Sequence, residues 1–331
     1  MSNYCNVKNN CMCNCCNYDI FHKKIAYISS HKYQYFFSKA NVVGVGVGYK
    51  ITNGITTSEK CLMVFVSKKV PFSELSSFNL IPSYYDGVKT DVVESGVFSI
   101  YDQGIGSEND LNKRIRPAPG GCGIGSATAT TTGTLGCVVK DTYKYYILSC
   151  NHVLAEFNTV PIGIPVLQPS PMDGGKVSSD VIAHLSKYVP IVKESVLHKN
   201  NNLVDCAIAE INDHSNVTPR LSDGFRVHGP YSQLKLMMRV HKIGKRTGLN
   251  YGDITALNAS IKVPFKGGHS ALFIDQIIAN CKAEGGDSGA IVLDNSNNTV
   301  GLICAASSGG CAINDIKNVL SSLHVEIVTN Y

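Results

Sequence analysis

The sequence contains no tryptophan in its 331 residues. Any apolar core must therefore be assembled from aliphatic side chains, phenylalanine and tyrosine. No stretch approaches the run of about 20 apolar residues that a membrane-spanning helix requires, so no membrane partner is expected. A strong charge of either sign is also lacking: 30 Lys and Arg stand against 25 Asp and Glu, a net charge of +5. With no dense basic run and no aromatic–basic motif, nucleic acid is not an expected partner. Residues 1–19 lack the apolar middle region of a secretory signal. A cytoplasmic location is expected, with signal-independent export or association with a surface layer left open.

What is present is glycine and cysteine. The 30 glycines suit a protein of many tight turns, as in all-β folds. The 13 cysteines are an odd number, and five crowd the start: Cys5, Cys11, Cys13, Cys15 and Cys16. The others are scattered, several in apolar runs where a thiol acts as a small hydrophobe. Scattered cysteines without a secretion signal point to a reducing compartment. At the start, Cys11, Cys13, Cys15 and Cys16 form a candidate thiol cluster for zinc or copper(I). Its spacing lacks the paired C-x-x-C of structural zinc sites. A passive or cross-linking tail ranks above metal, and no cofactor or metal is expected.

The length suggests one large or two domains. Residues 1–19 read as a Cys/Asn-rich disordered tail. Residues 20–100 read as a small α/β unit. A short helix is expected in the aromatic stretch Ser30 to Lys39. Val42–Ile51 alternates Val with Gly, which predicts a strand closely approached by another backbone. Cys61–Ser67 is a continuous apolar run and Val88–Glu94 a further strand. Between them Ser73 resembles an N-cap, with a short helix closed by Pro82. Residues 101–120 read as a linker ending in proline and glycine. Residues 121–331 read as all-β, because short apolar runs recur with turn signals between them, as in Gly133–Val139, Tyr145–Ser149, Val204–Ile211, Met238–Ile243 and Thr299–Ala305. A closing helix is expected with Asn314 as its N-cap, since Ile316, Val319, Leu320 and Leu323 recur at helical spacing.

Three short signals carry chemistry. In Gly285-Gly286-Asp287-Ser288-Gly289 the glycines allow a sharp turn that can aim the N–H groups of Gly286 and Ser288 at one point. A serine needs such donors and a nearby base before it attacks a carbonyl. Taken alone, this tetrapeptide Gly-Asp-Ser-Gly is also an ordinary turn. The second signal is Asn151-His152-Val153-Leu154, directly after the apolar strand Tyr145–Ser149. Histidine is the side chain best matched to general-base work near neutral pH. The third is Asp205 at the start of an apolar strand, where a carboxylate is costly to bury unless paired. It can accept the second ring N–H of a histidine and fix its tautomer.

The three fall in the order His, Asp, Ser, each at the edge of a β element. With LSCNHVLA, LVDCAIAEI and GGDSGAIVLD around them, residues 121–331 resemble the chymotrypsin-like (trypsin-fold) serine peptidases. More narrowly, Val42–Lys50, Lys68–Leu75, Leu167-Gln168-Pro169 and Lys245–Leu249 resemble a bacterial trypsin-like group. That group is similar to the plant narrow-leaf protein and to HtrA-like peptidases. The resemblance implies a mainly β fold, two six-stranded antiparallel β-barrels preceded by the small α/β unit. It implies His152 as base, Asp205 as its orienter and Ser288 as nucleophile. The N–H groups of Gly286 and Ser288 would form the oxyanion hole. Lys282 would lie near the primary specificity pocket. A protein or peptide substrate and a homo-oligomer are expected. No trypsin-style N-terminus is present, so activity would not need that cleavage. A catalytically silent or self-processing trypsin-fold scaffold is the alternative. No disulfide framework is evident: Cys137 and Cys150 could face each other across a hairpin near Asp141, and two free thiols are the favoured reading.

Overall fold

A computed structural model describes residues 14–100, 110–194, 201–265 and 269–329. The fold is mainly β. Part of the 101–120 linker, together with Cys5, Cys11 and Cys13, lies outside the described residues, as do the side chains of Cys15 and Cys16. Among the described residues no helix is long and apolar enough to cross a membrane.

Helices α1 (Asn14–His31) and α2 (Tyr33–Phe37) lie on a sheet of β1 (Val42–Thr52) and β2 (Ile55–Val66). Ile25, Ile28, Tyr33 and Phe36 share one buried cluster with Val45, Val47, Leu62 and Val64. The helix expected between Ser30 and Lys39 is thus the second of two, and α1 begins inside the Cys/Asn-rich segment. After β2 the chain makes only two 3-10 turns, Phe72–Glu74 and Ser77–Asn79, where a short helix was expected. No residue of either turn is buried, so no packed face stabilises a longer helix. β3 (Tyr84–Tyr85) pairs with β4 (Val88–Glu94), which runs parallel to β2.

The next strands are β5 (Ala118–Gly120), β6 (Gly123–Ser126), β7 (Gly133–Thr134), β8 (Cys137–Lys140) and β9 (Tyr145–Ser149). A single helical turn, α3 (Asn151–Leu154), separates them from β10 (Pro165–Leu167), β11 (Val181–Tyr188), β12 (Asn201–Asn202) and β13 (Ala207–Ile211). Six strands form one antiparallel path in the order β8-β9-β13-β11-β10-β6, with the two-residue β7 at one end. In the β8–β9 hairpin Cys137 is paired with Leu148 rather than Cys150, and all eight described cysteines are free thiols.

After β14 (Val217–Leu221) and β15 (His228–Pro230) come β16 (Arg239–Gly244), β17 (Gly248–Pro264), β18 (Ser270–Ala279), β19 (Ile291–Asp294), β20 (Asn298–Ser307) and β21 (Gly310–Asp315). The ladder order β18-β21-β20-β19-β16-β17 closes through a β17–β18 pairing, giving a six-stranded barrel. Next come α4 (Ile316–Leu323) and β22 (Glu326–Ile327), which pairs with β8 and so joins the first sheet. The cap of α4 is Asp315, whose side chain accepts from the Lys317 N–H, and not Asn314. Asn314 is committed elsewhere, as the site below shows. One apolar cluster spans both sheets, with Ile147, Leu148 and Ala207 from the first and Ile291, Leu302 and Ile313's neighbour Ala312 from the second.

Strand β17 joins two parts of the molecule. Its first residues pair with β16, while Ala256–Ile261 also pair with β1. The α/β unit is therefore continuous with the second barrel through a β1–β17 ladder. This explains the Val-Gly alternation in β1. A Cβ at Gly46 would sit 3.1 Å from Ala259 Cβ, and one at Gly48 would come within 3.0 Å of the Thr255 carbonyl. Valine side chains fill one face, and both neighbouring strands crowd the other, with a Cβ at Gly48 falling 2.1 Å from Met63 of β2.

Candidate active site

Strand β9 ends at Ser149, Cys150 stays extended, and the chain turns into α3. That single turn puts His152 in a nearly closed position, 4% exposed. Asp205, between β12 and β13, is 1% exposed. A carboxylate taken from water to that depth needs partners, and His152 supplies two. Its backbone N–H donates to Asp205 Oδ1 at 3.2 Å, and Nδ1 lies 2.5 Å from Oδ2. The proton shared on that side leaves Nε2 as the ring's lone-pair nitrogen.

The backbone of Asp205 is held by a residue the sequence reading assigned to another task. Asn314, fully buried on β21, accepts from the Asp205 N–H at 3.1 Å and donates to its carbonyl at 3.0 Å. An asparagine that satisfies both backbone groups of one residue fixes that residue's position without touching its carboxylate. No local sequence pattern marks such a partner, because 109 residues separate the two.

The Gly285–Gly289 loop enters β19. Gly286 and Gly289 have φ of +105° and +91°, a region that side chains other than glycine avoid. A Cβ at Gly289 would also lie 2.1 Å from Ser149 Oγ. Thr134 of β7 grips the loop twice. Its N–H donates to the Ser288 carbonyl at 2.8 Å and its hydroxyl to the Gly286 carbonyl at 2.8 Å. The Ile303 carbonyl accepts from both Gly289 N–H (2.8 Å) and the Cys150 thiol (3.1 Å), tying the loop to the segment that leads into His152. Among the described residues, the N–H groups of Gly286 and Ser288 donate to no protein acceptor. Ser288 itself is 5% exposed. The side-chain hydrogen bonds of His152 run to Asp205, and none joins it to Ser288 among the described residues.

The loop's shape depends on Asp287, fully buried and surrounded by donors. Its carboxylate accepts from Lys242 Nζ (2.9 Å), Thr247 Oγ1 (2.7 Å) and the N–H groups of Glu284, Arg246 and Thr247. Lys242 is also fully buried, and its ammonium donates again to Thr247 Oγ1. This internal cation sits beside the acid that precedes Ser288. Sequence reading missed it; the available signal was a lysine inside the apolar run of β16, where an unpaired charge would be costly. A neighbouring lysine, Lys245, binds Asp173 at 2.7 Å and Thr132 at 2.9 Å on the other side of the loop. Lys282, by contrast, is largely exposed and pairs with Glu284 at 3.1 Å.

Cys150, His152 and Asp205 bring one ligand atom each to within 4.8 Å of one another. Their polar atoms already have partners within the protein: Nδ1 and Oδ2 bond to each other, and the thiol donates to the Ile303 carbonyl. The Cys150 thiol is pushed well up, first by burial and then by the Asp205 charge.

No protein-family model matches the chain, and no curated protein matches it. Among solved structures, Thermobifida fusca protease A matches with a TM-score of 0.45 at 20% identity, over 64% of this chain and 98% of that one. A Cellulomonas bogoriensis chymotrypsin matches at 0.44 and 17%, over 64% and 98%. A glutamic acid-specific serine protease matches at 0.44 and 16%, over 63% and 99%. The solved structures similar to this chain thus include a chymotrypsin and a serine protease.

Proposed function

We propose that the protein is a serine endopeptidase that works through an acyl-enzyme, with Ser288 as nucleophile, His152 as base and Asp205 as the base's orienter. The observation that carries the reading is the buried 2.5 Å contact between His152 and Asp205, together with a nucleophile loop whose Gly286 and Ser288 N–H groups donate to no acceptor among the described residues. Ser288 Oγ attacks the scissile carbonyl carbon while its proton passes to His152 Nε2. The negative oxygen is held by the two N–H groups. The imidazolium then protonates the leaving amine as the C–N bond breaks, and Asp205 steadies its charge. Water, deprotonated by the same nitrogen, hydrolyses the ester and frees Ser288. The Ser288–His152 hydrogen bond belongs to the substrate complex, since such bonds tighten when the substrate enters.

The test is covalent labelling by a fluorophosphonate probe. Wild type is expected to label at Ser288 and Ser288→Ala not at all. Unfolded casein should be degraded by wild type and spared by His152→Ala, a loss of about 10³-fold or more. An intact protein that never labels, or equal labelling of Ser288→Ala, would sink the reading. Casein untouched by a protein that does label would favour the self-processing alternative, which a Ser288-dependent shortened chain would reveal by mass.

A further inference from the structure

Immediately after α3 the backbone does something unusual. Glu156, Phe157 and Asn158 have φ of 46°, 59° and 70°, three consecutive non-glycine residues in the left-handed region. Single asparagines visit that region readily, but a bulky phenylalanine within a run of three is a strained arrangement. Strain of this kind persists only when the surroundings over-determine it.

Here they do. Glu156 Oε1 accepts from the hydroxyls of Ser126 and Thr128, the latter at 2.7 Å. Asn158 Oδ1 accepts from Asn151 Nδ2 at 2.7 Å and from the Ile191 N–H at 3.0 Å, and its amide donates to the Ile191 carbonyl at 2.8 Å. Glu156 is thus clamped to the end of β6, and Asn158 to α3 and to the chain that follows β11. Phe157, between them, is held by packing alone. Its ring is stacked on the His152 imidazole, with centroids 5.6 Å apart and planes 23° apart. It also meets Phe265 edge-on at 5.1 Å. The same rings form a wall of a cavity of about 250 Å³ that opens onto His152, beside Thr130 and Lys193.

We propose that Phe157 is a positioning residue: the clamped left-handed turn exists to lay its ring flat on His152 and keep the imidazole on Asp205. The imidazole is then held at one edge by a carboxylate and on one face by a plate. Its rotation off Asp205 must displace Phe157, which Phe265 backs. This rests on the reading of His152 as the base, and it adds a part that the three triad residues do not contain. A base misplaced by even an ångström loses much of its effect.

The experiment compares wild type with Phe157→Leu, which removes the plate, and Phe157→Tyr, which keeps it. Fluorophosphonate labelling of Ser288 by Phe157→Leu should slow by about tenfold to a hundredfold. With a peptide ester, kcat should fall while KM stays, and Phe157→Tyr should restore the rate. A merely structural role would lower the melting temperature without splitting kcat from KM. Labelling by folded Phe157→Leu at the wild-type rate overturns the proposal. A second readout does not depend on activity. The Nδ1 proton between His152 and Asp205 should give a sharp, far-downfield proton NMR signal in wild type and in Phe157→Tyr. It should broaden or vanish in Phe157→Leu. If wild type never labels, the hydrolase reading fails by itself, and an unchanged signal in Phe157→Leu then overturns the positioning role separately.

Discussion

Replacing Lys242 by methionine tests how the nucleophile loop is held. The methylene stem is kept, and only the ammonium is lost. In the native site that ammonium lies 2.9 Å from Asp287 Oδ2, with both side chains at 0% exposure. Removing one partner of such a pair leaves a buried charge, at a cost of about 3–5 kcal/mol. At roughly 2 °C per kcal/mol for a large domain, the melting temperature should fall by roughly 6–10 °C. The backbone N–H groups of Glu284, Arg246 and Thr247 still face Asp287 and soften the loss, so the lower end of that range is expected. The charge that remains draws water or rearranges, and the loop it anchors is the one that carries Ser288. Fluorophosphonate labelling should therefore slow in the folded variant. The double variant Lys242→Met with Asp287→Leu separates two effects. Apolar side chains can replace a buried pair without loss, but here the N–H groups of Glu284, Arg246 and Thr247 and the Thr247 hydroxyl would also lose their acceptor, so its melting temperature should stay below wild type. Labelling should stay slow, because the three loop N–H groups have lost their acceptor. Calorimetry and labelling kinetics on the three proteins decide the matter. A Lys242→Met protein with unchanged melting temperature and labelling rate would refute the reasoning.

Two further predictions concern titration. Burial holds the Asp315 carboxyl above its ordinary range, against hydrogen bonds from the Tyr231 hydroxyl and the Lys317 N–H. A raised folded value means ionisation costs stability, so Asp315 weakens the fold once the pH rises through that value. Asp315→Asn keeps the Lys317 N–H contact through its one carbonyl oxygen and turns its NH2 donor toward the Tyr231 hydroxyl oxygen; it should melt higher than wild type near pH 7, and the difference should vanish below about pH 3.8 in thermal unfolding. An Asp315→Asn protein that melts lower than wild type at neutral pH would contradict this. The thiols of Cys122 and Cys137 are pushed up by burial to about 12, and those of Cys206 and Cys304 well above their ordinary value. Iodoacetamide at about pH 8 should therefore leave these four unmodified in the native protein and modify them after denaturation, as read by peptide mass mapping.

Much of the candidate site could be read from the sequence because its signals are local. A histidine closing an apolar strand, an acid opening one and a glycine-flanked serine each occupy a few adjacent residues. Their partners were not legible, because they arrive from elsewhere in the chain. Asn314 looked like a helix cap by its position before Ile316; the structure spends its amide on the backbone of Asp205 and leaves capping to Asp315. Lys242 looked like one more residue of a strand, since nothing in its neighbourhood announces Asp287, 45 residues away. The stack of Phe157 on His152 is closer in sequence, yet it depends on three backbone angles that no residue type there would suggest. The fold divides in the same way. The Val-Gly alternation of β1 correctly called for a second backbone against it, but only the three-dimensional pairing shows that backbone to be β17. The short helix expected after Ser73 failed for want of anything to bury.

The β1–β17 ladder has a consequence for anyone who would trim the molecule. Cutting the chain before residue 110 looks attractive, since everything that reads as catalytic lies beyond it. The cut would strip β1 from Gly44's partner Ile261 through Gly48's partner Ala256 and leave an unpaired β rim on the second barrel. It would also uncover Leu272, which is packed with the helices of the N-terminal unit. An open, apolar strand margin is a template for other chains. The shortened protein would tend to precipitate or to recruit a neighbour's strand. Residues 14–100 therefore serve the barrel as a built-in cover for its exposed margin, whatever else they do.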